Sequence, residues 1–167
     1  MKIKIKTAAV LLLALAGAFS GTAFADENVA AREVRERADQ AMRAEEWPEA
    51  DKVLAEGLRA NPASPELWVG RGFTQNRLGD MNEARKSFQN ALKLYRGNLK
   101  RQPDHPGWIM NVGFLLILLD SCDEATRFLA AENKRLPHVE ALDDFEEIVA
   151  AIEKNFSEWI LPAPAEE

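Results

Sequence analysis

Apolar residues recur along the chain at intervals of three and four, which is the period of one face of an α-helix. One stripe begins at Ala84 and continues through Phe88 and Ala91. Short groups of glycine, aspartate and proline, such as Gly79-Asp80, separate each stripe from the next. The pattern therefore predicts a series of amphipathic helices joined by tight turns.

The predicted helices recur with a regular spacing. Shifts of 34 and then 41 residues align the apolar positions of three successive stretches of the chain. Pro62, Pro103 and Pro137 end successive units and lie 41 and 34 residues apart. Self-similarity at such a period is typical of helical repeats. We therefore expect three helix–turn–helix units, with seven extra residues between Leu92 and Pro103.

The extra residues leave two structures open for residues 97–103. Because seven residues take nearly two helical turns, a longer helix would keep Phe88, Leu92 and Leu99 on one buried face. Alternatively, Gly97 could end the helix, since glycine commonly follows the last helical residue. We favour the longer helix.

Particular positions within the units match a known signature. In the second unit these positions are Trp68, Gly72, Gly79, Ala84, Phe88 and Ala91. In the third unit they are Val112, Gly113, Leu116, Ala125, Leu129 and Pro137. Both sets resemble the tetratricopeptide-repeat (TPR) family, in which a small residue lets the two helices of a repeat approach closely. Arg71 and Gln75 depart from it, because leucine and an aromatic residue are usual there.

The resemblance implies an all-α fold, namely an α-solenoid of three TPR helix-turn-helix repeats plus a C-terminal capping helix. The expected segments are a domain at 26–160, with repeats at about 31–64, 65–105 and 106–139 and the capping helix at 139–156. The cap is also indicated by the residues themselves, since apolar side chains from Leu142 to Phe156 share one face and acidic ones the other. Residues 161–167 are expected to form a mobile tail.

The N-terminus has the layout of a secretory signal peptide. Three lysines precede an unbroken apolar run from Ala8 to Phe19, and Ala23 and Ala25 are small residues that suit a signal peptidase. The apolar run is shorter than the ~20 residues that span a bilayer. We therefore expect residues 1–25 to be removed, no stable membrane insertion afterwards, and a periplasmic or secreted location, as in an exported bacterial member of the family.

Removal of that peptide makes the protein more acidic. The full chain has 21 basic and 27 acidic residues, and the first 25 residues contain three lysines and no acid, so the remainder has a net charge of −9. Such a chain is poorly suited to bind nucleic acid or anionic lipid non-specifically. Cys122 is the only cysteine and falls in a predicted turn. An inert thiol is expected there, with intermolecular pairing as the alternative.

The sequence contains no catalytic or metal-binding constellation. His105 and His138 lie at equivalent repeat boundaries, and neither has a second ligand at helical spacing. We expect structural roles for both. The carboxylates of the predicted capping helix are expected to form a solvated face. We therefore expect no enzyme activity, no metal and no cofactor.

The TPR resemblance implies a concave groove, lined by the first helix of each repeat, that binds a protein or peptide segment. Transferred by position, the predicted groove consists of Arg35, Asp39, Arg43, Phe73, Asn76, Arg77, Met110, Phe114, Ile117 and Leu118. One end is basic and the other apolar, so the expected ligand has acidic residues beside an apolar anchor. The carboxylate clamp of chaperone-binding members is not reproduced, because Asp39 replaces an asparagine and Gly107 a basic residue.

Two functions remain open. The first is a non-enzymatic adaptor or chaperone-like module in the periplasm that holds a segment of another exported or envelope protein. The second is a homo-oligomeric structural protein. Val112 to Leu119 is more apolar than one buried helix face requires, so residues 112–119 could form the interface of a homodimer.

Overall fold

The computed structural model describes residues 29–137, 149, 150, 152, 154 and 157–161 of the 167-residue chain. These residues contain six α-helices and one 3₁₀ turn: α1 (Val29–Arg43), α2 (Trp47–Ala60), α3 (Pro65–Leu78), α4 (Met81–Arg101), α5 (Pro106–Leu118), α6 (Cys122–Arg135) and the 3₁₀ turn Ser157–Trp159. No β-strand occurs in these ranges. The predicted all-α class is confirmed. The predicted signal peptide, His138 and residues 162–167 lie outside the described residues.

The chain divides after Ala84 into two compact units. In the first, α1 packs on α2, α2 packs on α3, and α1 also contacts α3. The shared core consists of Ala38, Val53, Leu54, Leu58 and Leu67, with the half-buried Val34, Met42 and Trp68 packed against it. Successive helices therefore bury one another's apolar faces, as a solenoid of helix pairs requires.

Two glycines let the helices of the first unit approach closely. A β-carbon on Gly57 of α2 would lie 2.4 Å from Cγ1 of Val34 on α1. A β-carbon on Gly70 of α3 would lie 3.1 Å from Cδ2 of Leu54 on α2. Both distances are shorter than ordinary carbon–carbon contacts. The close approach that the TPR resemblance implies is therefore present in this unit.

Arg71 departs from the TPR signature and has a charged partner on the neighbouring helix. Its Nε lies 3.1 Å from Oδ1 of Asp51 on α2. The two side chains are only 28% and 27% exposed, so solvent screens their attraction less than it would at an open surface. The ion pair therefore joins α2 to α3 where the usual leucine would make an apolar contact.

Helix α3 begins and ends at residues that suit those positions. The Ser64 hydroxyl accepts a hydrogen bond from the backbone N–H of Leu67 at 3.4 Å and donates one to the Glu66 carboxylate at 2.9 Å. Pro65 occupies the first turn, where its missing N–H costs nothing. Gly79 ends the helix with a left-handed φ of 84°.

The long helix α4, most of which lies in the second unit, shows which of the two structures residues 97–103 adopt. It continues without a break to Arg101, so Gly97 is a helix-interior residue and does not end the helix. Leu92 and Tyr95 are buried, and Leu99 is half-buried. One face of α4 therefore stays at least partly buried through the two added turns. The favoured prediction of a longer helix is confirmed.

Helix α5 is buried on nearly every side, and α6 packs against it. The residues with at most 2% exposure are Ile109, Val112, Leu115, Leu116, Ile117 and Leu118. The two helices approach closely at Gly113, where a β-carbon would lie 2.8 Å from Cδ1 of Leu129 on α6. A small residue at position 113 is therefore required by this contact.

The turn between α5 and α6 is shorter than the sequence predicts. Asp120 has a left-handed φ of 60°, which reverses the chain within a few residues. Helix α6 then begins at Cys122. The half-buried cysteine is therefore the first residue of a helix, and its predicted place in the turn is wrong.

Only part of the predicted capping helix is described. Val149 and Ile152, which belong to the predicted apolar stripe, are buried, and Lys154 is exposed. The capping helix as a whole stays a prediction. Trp159 and Leu161 are also buried. The described fold therefore reaches Leu161, the first residue of the predicted tail. Within the described ranges, no helix is both long and apolar enough to cross a membrane.

Candidate functional site

The basic end of the predicted groove begins as a stripe along α1. Arg35, Asp39 and Arg43 are spaced four residues apart and therefore share one face of the helix. Asp39 and Arg35 are half-buried, whereas Arg43 is exposed in the last turn. Burial raises the pKa of the Asp39 carboxyl, Arg35 and Arg43 oppose that rise, and Glu36 adds to it. Burial is the largest of these effects. The attraction of the two arginines therefore only partly offsets the hydration that the ionised carboxylate loses.

Helix α3 supplies the next part of the predicted groove. Phe73 and Arg77 are half-buried, and Asn76 is 7% exposed. The Arg77 guanidinium lies over the Trp47 ring, 5.7 Å from its centroid, in a cation–π contact. The Asn76 side-chain amide lies 3.7 Å from the Met81 sulfur. The cation–π contact places the Arg77 guanidinium beside Trp47, at the N-terminal end of α2.

The six predicted residues of α1 and α3 lie on two helices that contact each other. Arg43 is the most accessible, and four are half-buried: Arg35, Asp39, Phe73 and Arg77. Asn76 is too buried to offer its amide freely to a ligand. The accessible part of this set is therefore three arginines, one carboxylate and one aromatic ring.

Trp47 is a residue of this region that the sequence analysis did not assign to the groove. It is half-buried at the first position of α2 and provides the ring beneath Arg77. An aromatic residue at that position could have suggested the contact, but its pairing with Arg77 depends on the packing of α2 against α3.

The apolar part of the predicted groove lies on α5, in the second unit. Ile117 and Leu118 are fully buried and Met110 is 9% exposed, whereas Phe114 is half-buried. Phe114 is therefore the predicted residue of this set that a ligand could reach directly. Whether the ten residues form one binding groove stays a prediction.

The burial of α5 also argues against a homodimer interface at 112–119, because that prediction assumed that part of this apolar surface is exposed. Leu115 and Leu116, like Ile117 and Leu118, have at most 2% exposure. The apolar surface that seemed surplus in the sequence is therefore covered within the chain. What remains accessible in this stretch belongs mainly to Phe114 and Leu119, which are half-buried.

His105 has a structural role, as expected. Its Nδ1 accepts a hydrogen bond from the backbone N–H of Trp108 at 3.3 Å and so caps α5. The two rings also stack, with their centroids 4.2 Å apart. A search of the described residues finds no group of three or more His, Cys, Asp or Glu side chains placed to hold a metal ion.

Several solved structures are similar to this chain. The structure of the TPR2B-domain:pHsp70-complex of yeast Sti1 matches this chain with a TM-score of 0.49 and 17% sequence identity. The match covers 78% of this chain and 98% of that chain. No protein-family model matches the sequence, and no curated protein is similar to it. The helix pairs, their order and their glycine contacts describe a TPR-like, all-α repeat fold.

Proposed function

We propose that this chain is a protein–protein interaction module, an adaptor or chaperone-like protein, that holds a segment of another protein against α1 and α3. The observation that carries the proposal is the arrangement of charge on these two contacting helices. Arg35 and Arg43 flank a carboxylate that burial disfavours, and Arg77 is fixed on an aromatic ring. Cationic side chains on two contacting helices of an acidic protein can attract an acidic segment.

The partner is proposed to be an exported or envelope protein, and the module to act in the periplasm. The support is the N-terminal sequence, in which lysines, an apolar run and small residues follow one another in the order of a signal peptide. A ligand with an apolar anchor beside its acidic residues would use Phe73 on α3, which is half-buried. Phe73 precedes Arg77 by four residues and therefore lies on the same face of α3.

A charge-reversal experiment tests the binding face. The chain from Asp26 onward is used to capture partners from an envelope extract, and the captured segment is synthesised and titrated at two ionic strengths. Arg43→Glu combined with Arg77→Glu is expected to weaken binding by at least tenfold and to reduce its dependence on salt. Thermal unfolding of each variant checks that the fold is retained.

The matched control is Arg59→Glu, which reverses a charge on the exposed last turn of α2, outside the predicted groove. It should leave the affinity unchanged within about twofold. Equal affinities for the parent chain, the control and the double variant would exclude the α1–α3 face as the binding site.

A further inference from the structure

The carboxyl end of α5 has a hydrogen-bond partner from far along the chain. A helix leaves its last four carbonyl groups without partners inside the helix. In α5, the carbonyls of residues 115–117 accept bonds from the N–H groups of the adjacent turn, residues 119–121. The fourth carbonyl, on Leu118, accepts the N–H of Leu161 at 2.9 Å. The segment 157–161, called the strap below, therefore completes the end of this helix.

The strap also buries apolar side chains of its own. Trp159 is 2% exposed and Leu161 is not exposed at all, whereas Ser157 is exposed and Ile160 is half-buried. A buried tryptophan removes about 150–250 Å² of surface from water. The strap is therefore held in part by two buried side chains and a backbone hydrogen bond, the kinds of contact that also hold a bound peptide segment.

Helix α5 needs such a cover because it has no polar face. Its thirteen residues, Pro106–Leu118, include a single polar side chain, Asn111. A helix that is apolar all round must be enclosed by other elements. The strap reaches it at Leu118, a residue of the predicted groove for an external ligand. The place expected for a partner's apolar anchor is thus next to a segment of the chain itself.

We propose that the strap is an internal ligand: it occupies the apolar surface at the carboxyl end of α5 and must leave before an apolar segment of another protein can bind there. The partner segment would resemble the strap, with an aromatic and an aliphatic residue two positions apart. Local opening of a short segment requires less free energy than global unfolding of the helices beside it. The strap therefore controls access to α5 while the helices stay folded.

Adding the strap back as a free peptide tests the proposal without a partner. The chain from Asp26 is truncated after Phe156, which removes the strap, and a control chain is truncated after Pro162, which keeps it. A labelled peptide of residues 155–163 is titrated into each and followed by fluorescence anisotropy. Attachment to the chain gives the strap an effective concentration of roughly millimolar. A tenfold competition by the attached strap requires a Kd about tenfold below that concentration, so the truncated chain is expected to bind the peptide with a Kd of about 0.1 mM or tighter.

The control chain should bind that peptide at least tenfold more weakly, because its own strap occupies the site. A peptide with Trp159→Ala and Leu161→Ala should bind the truncated chain at least tenfold more weakly as well. No binding to a folded truncated chain, or equal binding to both chains, would overturn the proposal. A truncated chain that does not fold would also overturn it, since a displaceable strap leaves the helices intact.

Native-state hydrogen exchange of the intact chain gives an independent test. The amide of Leu161 is expected to exchange through local opening, at least tenfold faster than the interior amides of α5, with little dependence on low denaturant. Exchange of Leu161 only together with α5, through global unfolding, would make the strap a permanent part of the core. The inference builds on the proposed function, yet the two can fail separately. Peptide binding without any effect of the arginine variants would support the strap and reject the α1–α3 face.

Discussion

Gly113 lies so close to Leu129 that a β-carbon on the glycine would be 2.8, 2.9 and 3.0 Å from three carbons of the leucine side chain. Leu129 is 1% exposed and therefore has little room to move away. Gly113→Ala is expected to lower the free energy of unfolding by about 1–3 kcal/mol, although alanine favours a helix more than glycine does. Urea denaturation followed by circular dichroism measures the change.

Gly97→Ala is the matched comparison, because Gly97 is also inside a helix but has no neighbouring atom within 4 Å of an added β-carbon. At this position only the higher helix propensity of alanine acts, so the free energy of unfolding should rise by about 0.5–1 kcal/mol. Stabilisation by both substitutions would mean that α5 and α6 are packed less tightly than described.

Asp39 should make stability depend on pH. Burial raises its pKa in the folded state above the value of 3.8 for an unperturbed carboxyl. The ionised form therefore reduces stability above the folded pKa, and this loss disappears as the pH falls toward the unfolded value. Asp39→Asn, which removes the charge, is expected to raise the free energy of unfolding at pH 7, with a gain that shrinks toward pH 4.

Urea denaturation of the parent chain and the variant at several pH values between 7 and 4 measures that gain. Glu33→Gln is the control, because it removes the same charge from an exposed position on the same helix. A loss of stability in Asp39→Asn at pH 7 would show that attraction to Arg35 and Arg43 outweighs the cost of burial.

Export is a separate prediction that rests on the sequence of residues 1–25. Mass spectrometry of the protein from its native host should find Asp26 at the N-terminus, because Ala23 and Ala25 suit the two subsites of a signal peptidase. The cell fraction that contains this species gives the location. A full-length cytosolic form as the sole product would contradict both the cleavage and the periplasmic proposal.

Local features of the fold could be predicted because they depend on nearby residues. Ser64 caps α3 through a hydrogen bond to a residue three positions on, and the added turns of α4 follow from a continuous apolar stripe. Cys122 was misplaced by a small margin, because a left-handed Asp120 shortens the turn in a way that composition does not reveal. In these cases the decisive interactions span a few residues.

The candidate site was less predictable because its accessibility depends on distant contacts. Transfer by repeat position places Ile117 and Leu118 in a groove, but the sequence does not show that Leu161 reaches the end of their helix. The contact between Arg77 and Trp47 likewise depends on how α2 and α3 cross. Repeat spacing therefore predicts which face a residue occupies, whereas burial of that face is decided by the whole fold.

Phe114 and Ile117 allow this distinction to be measured on a single helix. Ile117 is fully buried, so Ile117→Ala should lower the free energy of unfolding by about 2–5 kcal/mol through lost packing and a residual cavity. Phe114 is half-buried, so Phe114→Ala should cost less stability even though it removes a larger side chain.

If Phe114 anchors a ligand, Phe114→Ala should also weaken binding of the captured segment with little change in salt dependence, because an apolar contact is lost. Urea denaturation and titrations at two ionic strengths separate the two effects. A Phe114→Ala variant as unstable as Ile117→Ala, with unchanged affinity for the segment, would make Phe114 a core residue and leave α1 and α3 as the binding face.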